Sequence, residues 1–121
     1  MPIKNILVVE DSATDRRYLT ELLAKNGYNV STAESAEEAF VKIRQVPPDL
    51  VLMDVILPGQ NGYQATRTLA KDDGTRHIPV IICTSRGQET DKIWGMRQGA
   101  RDYVVKPVSQ SELLAKISAL G

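Results

Sequence analysis

Three short, uninterrupted apolar runs constrain the fold of this chain more than any other feature of its sequence. They lie at residues 6–9, 50–53 and 80–83 and are rich in valine, isoleucine and leucine. A continuous apolar run of this length is typical of a strand buried on both faces, as in a parallel sheet covered by helices. Two weaker runs, at 29–33 and 102–105, predict two further strands.

Segments with helical periodicity lie between the predicted strands. Ser35 is the expected N-cap of the second helix, and Glu38 is expected to complete a capping box. The predicted helices cover about 13–26, 36–45, 62–71, 89–98 and the segment that follows a cap at Ser109 or Ser111. Strands and helices that alternate with short connections predict an α/β fold, (βα)₅, with a five-stranded parallel sheet. Right-handed crossovers then place helices on both faces of the sheet, which makes the fold doubly wound.

The composition is uniform over 121 residues, so we expect one domain, 1–121, without an effector domain. Fifteen basic and fifteen acidic residues cancel. This balance gives no electrostatic reason to expect nucleic acid or an anionic membrane as a partner. The N-terminus lacks a signal peptide, no apolar run approaches the roughly 20 residues that span a bilayer, and the single cysteine suits a reducing compartment. We therefore expect a cytoplasmic protein without membrane insertion. The sequence leaves the oligomeric state open, and a monomer is the default expectation.

Polar side chains follow four of the predicted strands at their carboxyl ends. Glu10 and Asp11 follow the first strand, Asp54 the third, Thr84 the fourth and Lys106 the fifth. In open α/β sheets these ends share one edge, and ligands bind there. Each residue alone could be a helix cap, a turn former or a solvated side chain. Their convergence from distant parts of the chain favours a functional site.

The residue types at this edge indicate phosphoryl transfer. Three carboxylates would repel one another unless a cation lay among them, and oxygen-only ligands suit Mg²⁺. Asp54 would then be the nucleophile that accepts the phosphoryl group. We expect Glu10, Asp11 and Asp54 to hold Mg²⁺. Lys106 would neutralise charge on the phosphoryl oxygens, and Thr84 would donate a hydrogen bond to them.

Four segments of the chain closely resemble the receiver domain of two-component response regulators. They are 6–12, 49–63, 79–85 and 99–107, so the resemblance covers essentially the whole chain. It implies the flavodoxin-like strand order 2-1-3-4-5 and Mg²⁺-dependent phosphotransfer to Asp54 from a phosphohistidine on a sensor histidine kinase. It also implies that the Ile56 carbonyl is a further metal ligand and that the Lys106–Pro107 peptide bond is cis.

The same resemblance implies a switch and an output surface. On phosphorylation Thr84 would move toward the phosphoryl group, and Tyr103 would turn inward into the vacated space. A chain without an effector domain would signal by contact with a downstream protein, whose identity the sequence leaves open. The expected output surface consists of Lys92, Tyr103, Val108, Ser109 and Lys116. Residues 84–107 resemble the PilH-type regulators of twitching motility, which suggests a chemotaxis-like pathway controlling type IV pili.

Several positions carry narrower expectations. Gly95 inside the fourth helix either loosens that helix or makes room for packing. Cys83 is expected to be an inert core thiol. Ile56 and Arg86 lie two residues after Asp54 and Thr84 and supply no acid or amide that could orient a hydrolytic water. We therefore expect slow loss of the phosphoryl group.

Three alternative functions fit these features less well. A phosphatase of the haloacid-dehalogenase type would need a second aspartate where this chain has Ile56. A nucleotide-binding protein would need a glycine-rich phosphate loop after the first strand, where this chain has an acidic turn. A receiver-like module that only binds partners would not need the complete set of acidic, hydroxyl and lysine residues. We therefore expect no enzymatic activity beyond the chain's own phosphoryl transfer and dephosphorylation.

Overall fold

A computed structural model describes residues 2–121 of the chain. Strands and helices alternate along it: β1 (Asn5–Val9), α1 (Ala13–Lys25), β2 (Asn29–Ala33), α2 (Ala36–Gln45), β3 (Leu50–Met53), α3 (Gly62–Lys71), β4 (Val80–Thr84), α4 (Glu89–Arg97), β5 (Asp102–Val105) and α5 (Gln110–Leu120). All strand pairs are parallel, in the order β2-β1-β3-β4-β5. The predicted (βα)₅ fold and its strand order are therefore confirmed.

The helix ends differ from prediction in two local details, and the cap of α5 is one of the two predicted alternatives. Helix α4 ends at Arg97 with Gln98 as its C-cap. Ser109 caps α5, because its Oγ accepts the Glu112 N–H at 3.3 Å. Ser35 caps α2 as predicted, but the Glu38 side chain pairs with Lys42 at 3.2 Å. The reciprocal half of the predicted capping box is therefore missing, because a neighbouring cation competes for the glutamate.

The sheet is covered on both faces, as the uninterrupted apolar runs predict. Every residue of β3 and β4 is buried. Alternate strand residues point to opposite faces. Val8 therefore joins the core beneath α1 and α5, whereas Val9 joins the core beneath α2 and α3. Among residues 2–121, no helix is both long enough and apolar enough to cross a bilayer.

Helix α4 packs against the sheet through a glycine. Gly95 is the buried residue of this helix, whereas Ile93, Trp94 and Met96 are exposed. A Cβ at position 95 would come within 2.8 Å of Ile82 Cδ1. Of the two interpretations of Gly95, the structure therefore supports the one in which it makes room for packing.

Candidate functional site

The backbones of four strands deliver the predicted residues to one edge of the sheet. Hydrogen bonds of the ladder continue one residue past the strands: Asp54 N–H donates to the Val9 carbonyl at 3.0 Å, and Lys106 N–H to the Thr84 carbonyl at 2.9 Å. Glu10, Asp54 and Thr84 are buried at this edge. The sheet itself therefore brings together side chains that are far apart in sequence.

Lys106 is the centre of the site. Its Nζ donates to Asp54 Oδ2 at 3.0 Å, to Asp15 Oδ2 at 2.9 Å and to Glu10 Oε1. The structure thus joins Lys106 to Glu10 and Asp54, both of which the sequence placed in the site. The sequence did not indicate Asp15. A usable signal existed, because Asp15 is an acid in the first turn of the predicted first helix, which directly follows Glu10 and Asp11.

The second oxygen of the Asp54 carboxylate also accepts a hydrogen bond. Asp54 Oδ1 accepts the Ile56 N–H at 3.1 Å, so the two oxygens have different partners and the plane of the carboxylate is oriented. The Ile56 side chain is exposed. The contact seen here is made by the Ile56 amide group, and the role of the Ile56 carbonyl as a metal ligand stays a prediction.

Burial and charge act in opposite directions on the two buried acids. Burial opposes ionisation of Asp54, but Lys106, Thr84 and Glu10 together outweigh it, and the pKa of Asp54 is lowered. Burial raises the pKa of Glu10, despite hydrogen bonds from Lys106 and from the Ser12 N–H. The Asp54 carboxylate is therefore the more readily ionised of the pair, as a nucleophile requires.

Lys106 keeps its charge in this environment. Burial alone would lower the pKa of Lys106, but hydrogen bonds to Glu10, Asp15 and Asp54 outweigh burial and raise it. A permanently charged ammonium group beside Asp54 can stabilise negative charge that develops there.

Thr84 presents a hydroxyl group that is buried and unsatisfied. Its Oγ1 has no hydrogen-bond partner among the described residues, although it lies close enough to Asp54 to contribute to the lowered pKa of that acid. An unsatisfied buried polar group costs about 1–3 kcal/mol. Such a group in a native site calls for an explanation, and a ligand that binds beside Asp54 is one.

The donors at this edge fit a hard divalent cation. They are oxygen atoms, and the carboxylates of Glu10, Asp15 and Asp54 outnumber the single ammonium of Lys106 that they contact. In residues 2–121, however, no group of three or more histidine, cysteine or acidic side chains is assembled in a metal-binding arrangement. The side chain of Asp11 is exposed in the β1–α1 turn, outside the Lys106 cluster.

Arg16 fixes this turn. Its Nη1 donates to the carbonyl oxygens of Glu10 at 3.0 Å and of Asp11 at 3.3 Å. It also lies 3.7 Å from Glu34 at the end of β2. The guanidinium group therefore holds the backbone from which both predicted metal ligands extend. The sequence did not indicate this role, because an arginine on an amphipathic helix is usually a solvated residue.

Gly62 allows the start of α3 to approach the backbone of Asp54 and Val55 closely. A Cβ at this position would lie 1.9 Å from the Asp54 carbonyl oxygen, and the Gly62 N–H donates to the Val55 carbonyl at 3.0 Å. Only glycine permits this approach of α3 to the backbone of Asp54. The signal in the sequence was the Asn61-Gly62 pair at the start of the predicted helix.

Tyr103 differs from its predicted position on the output surface. It is only 6% exposed, and its hydroxyl donates to the Arg86 carbonyl at 2.7 Å and lies 3.1 Å from the Tyr63 hydroxyl. The prediction that Tyr103 belongs to an exposed surface is therefore wrong for this structure. The physical reason is the space left by Gly95, which the aromatic ring fills.

The other residues of the predicted output surface lie outside the Lys106 cluster. Lys92 and Val108 are partly exposed, and Ser109 is exposed as the cap of α5. Lys116 donates to Asp102 at 2.7 Å.

The Lys106–Pro107 peptide bond is cis, as the resemblance implied. Cys83 is buried, and burial raises its pKa to about 12, as expected of a core thiol.

The sequence matches known proteins over nearly its whole length. Residues 6–118 match the response regulator receiver domain family. The chain is 53% identical to Protein PilH of Pseudomonas aeruginosa over 115 residues, covering 95% of each protein. It is 41% identical to the phosphate regulon transcriptional regulatory protein PhoB of Escherichia coli strain K12 over 117 residues. That match covers 97% of this chain but only 51% of PhoB.

Solved structures share the fold. A candidate response regulator from Chloroflexus aurantiacus J-10-fl superposes with a TM-score of 0.93 at 33% identity, covering 99% of this chain and 98% of the other. The chemotaxis protein CheY4 of Vibrio cholerae superposes with a TM-score of 0.90 at 25% identity, covering 98% and 99%. With its Asp54, Thr84 and Lys106 gathered at one edge of a 2-1-3-4-5 sheet, this chain belongs to the response regulator receiver domain family.

Proposed function

We propose that this protein is a phosphorylation-controlled signalling switch that accepts a phosphoryl group on Asp54 from the phosphohistidine of a sensor histidine kinase. The observation that carries the proposal is the geometry of the Asp54 carboxylate. One oxygen bonds to Lys106 and the other to the Ile56 N–H, in a buried site at the carboxyl edge of the sheet. Membership of the receiver family supports the same reaction.

In this reaction an Asp54 oxygen bonds to phosphorus as the phosphorus–nitrogen bond of the donor breaks. The electron pair stays on the imidazole nitrogen, which takes up a proton. Lys106, which contacts Asp54, would neutralise charge on the transferred group. Thr84 would donate a hydrogen bond to this group from its hydroxyl, which has no hydrogen-bond partner among residues 2–121. Glu10 and Asp11, with the Ile56 carbonyl, would hold Mg²⁺. When bound, Mg²⁺ supplies positive charge that offsets the repulsion between the carboxylates and the incoming phosphate.

The output of the switch would be contact with a downstream protein that depends on phosphorylation. The candidate residues for that contact surface are Lys92, Val108, Ser109 and Lys116. The 53% identity to PilH supports a role in a chemotaxis-like pathway that controls type IV pili. A strain that carries Asp54→Asn at the chromosomal locus should show altered twitching, and unchanged twitching would contradict this pathway.

The phosphoryl-acceptor role can be tested with the whole chain. Incubation with Mg²⁺ and acetyl phosphate, followed by mass spectrometry of the intact protein, should add one phosphoryl group to the native chain. Asp54→Asn and a sample with excess EDTA should remain unlabelled. Asp73→Asn, which changes an exposed acid in the loop before β4, is the matched control and should label normally. A native chain that takes no label would overturn the proposal.

The lifetime of the label tests the predicted slow hydrolysis. Ile56 and Arg86 present no acid or amide beside Asp54, and Arg86 is paired with Asp91 at 3.3 Å. We expect a phosphoryl group that persists for minutes or longer after the donor is removed. Loss within seconds, without a phosphatase, would contradict this expectation.

A further inference from the structure

Lys106 is shared by three carboxylates, and one of them has no part in the reaction proposed above. We propose that Asp15 is a positioning residue that holds the Lys106 ammonium in the resting site and slows phosphoryl acceptance by Asp54. This inference rests on the proposed function of Asp54 and extends it to a residue of α1. Asp15 acts through Lys106, and the structure provides no contact between Asp15 and Asp54 themselves.

The contact between Asp15 and Lys106 is as short as the contact that defines the site. Asp15 Oδ2 lies 2.9 Å from Lys106 Nζ, compared with 3.0 Å for Asp54 Oδ2. The backbone of Asp15 is fixed, because its N–H donates to Ser12 Oγ at the start of α1. The ammonium is therefore divided between the nucleophile and an acid on a neighbouring helix.

Asp15 also lies at the entrance of the site. The Lys106 side chain is 14% exposed, whereas that of Asp15 is 45% exposed. Both residues line a groove of about 360 Å³ that runs between α1 and the segment after β5, past Tyr18 and Pro107. An anionic phosphodonor that approaches along this side would meet the Asp15 carboxylate before it met Lys106.

Two electrostatic effects then follow from the position of Asp15. The carboxylates of Asp15 and Asp54 lie within about 6 Å of each other through their shared ammonium, a range over which like charges interact. Asp15 therefore adds repulsion to an incoming phosphate. Asp15 also competes with the phosphoryl oxygens for Lys106. Because Asp15 is partly exposed, both effects should weaken as salt screens its charge.

The variant Asp15→Asn removes the charge and keeps the shape. Glu112→Gln is the matched control, because Glu112 occupies the same position of α5, where its N–H donates to Ser109 Oγ at 3.3 Å. Both variants lose one acid from the first turn of a helix, so a general effect of the helix dipole would appear in both. Asp15→Glu keeps the charge and tests whether the carboxylate itself is needed.

Initial rates of labelling by acetyl phosphate with saturating Mg²⁺ would be measured at low and high ionic strength. We expect Asp15→Asn to label about threefold or more faster than the native chain at low salt, and the ratio to shrink toward one at high salt. Asp15→Glu and Glu112→Gln should behave as the native chain. A rate for Asp15→Asn that is equal to or below the native rate would overturn the proposal, as would a difference that salt leaves unchanged.

A second measurement does not depend on phosphorylation. The ¹⁵N resonance of the Lys106 ammonium group should shift in Asp15→Asn and stay in place in Glu112→Gln. If the native chain took no label, the proposed function would fail, and this resonance would still decide whether Asp15 holds Lys106. An unchanged resonance in Asp15→Asn would overturn the inference by itself.

Discussion

The ring of Tyr103 occupies the space in which a side chain of residue 95 would lie. A Cβ at Gly95 would come within 2.9 Å of Tyr103 Cε2 and 3.0 Å of its Cδ2. The inward position of Tyr103 and the glycine in α4 therefore depend on each other. This pair links the fifth strand to the helix that follows Thr84.

Gly95→Ala should destabilise the fold although it improves helix propensity. The gain in propensity is about 1 kcal/mol, whereas overpacking against Tyr103 and Ile82 costs about 1–3 kcal/mol. We expect a net loss of about 1 kcal/mol in the free energy of unfolding, measured with urea. Thr90→Ala, at an exposed position of the same helix, should be neutral or slightly stabilising. A more stable Gly95→Ala variant would show that Tyr103 moves aside freely.

The hydroxyl groups of Tyr63 and Tyr103 have two protons for three contacts. Tyr103 lies 2.7 Å from the Arg86 carbonyl, Tyr63 lies 3.2 Å from the Asp91 carbonyl, and the two hydroxyls are 3.1 Å apart. Each hydroxyl donates only once, so one of the three contacts always lacks a proton. The shortest contact uses the proton of Tyr103, which leaves Tyr63 to share its proton between Asp91 and Tyr103.

Tyr103→Phe should therefore destabilise the fold more than Tyr63→Phe. Loss of the Tyr63 hydroxyl should cost about 0.5–1.5 kcal/mol, the net value of one hydrogen bond. Loss of the Tyr103 hydroxyl leaves the Arg86 carbonyl without this donor and should cost about 1–3 kcal/mol. Urea unfolding of both variants measures the difference. Tyr28→Phe is the control, because the Tyr28 hydroxyl has no hydrogen bond to residues 2–121. The opposite ranking would refute the assignment of the protons.

Gly62→Ala should be far more damaging than Gly95→Ala. Its Cβ would lie 1.9 Å from the Asp54 carbonyl oxygen and 2.8 Å from Val55 Cα, which are backbone atoms that cannot rotate away. We expect a loss of about 3 kcal/mol or more in the free energy of unfolding, or failure to fold. Gly74→Ala provides the control, because its Cβ would meet only Asp72 Oδ1 at 3.6 Å. A stable Gly62→Ala protein would mean that α3 can start elsewhere.

Stability should fall in alkaline solution partly because of Cys83. Burial raises the pKa of this thiol from 9.0 to about 12. The unfolded chain therefore ionises at Cys83 first as the pH rises, which favours unfolding between about pH 9 and 12. Below that range both states keep the thiol proton, and the contribution of Cys83 to stability is complete. Cys83→Ala should show a shallower decline in urea unfolding experiments over the same range.

The same burial should protect Cys83 from thiol reagents. At pH 8 the folded chain should react only as fast as it opens, and urea should accelerate labelling in parallel with unfolding. Labelling of the folded chain at the rate of a free thiol would contradict the burial of Cys83.

The sequence was sufficient to predict which residues form the site and what chemistry they support. It was not sufficient to predict all the contacts between them. Glu10, Asp54 and Lys106 were identified because parallel strands deliver their following residues to one edge, which depends only on strand type and crossover hand. The contact of Asp15 with Lys106 spans 91 residues and depends on how α1 is rotated against the sheet. Helical periodicity indicates which face of a helix is apolar, and it does not tell how far an acid in the first turn reaches.

For Tyr103, too, the sequence predicts one part of its placement and the tertiary structure decides the rest. Alternation along β5 assigns its side chain to one face of the sheet, and the resemblance to receiver domains assigned it to a switch. Its inward position is decided by Gly95, which leaves a gap, and by the Arg86 carbonyl, which accepts its proton. Neither partner can be inferred from the sequence around Tyr103.

Local patterns in the sequence were sufficient to predict the order of elements, the buried strands and the set of residues at the carboxyl edge. These follow from local signals, because apolar runs, helix caps and glycines act over a few residues. The tertiary structure alone decided that Lys106 binds three carboxylates, that Tyr103 lies inside, and that Gly62 closely approaches the backbone of Asp54. These contacts depend on the rotation and separation of packed elements, and those are set by the whole core rather than by any segment of the chain.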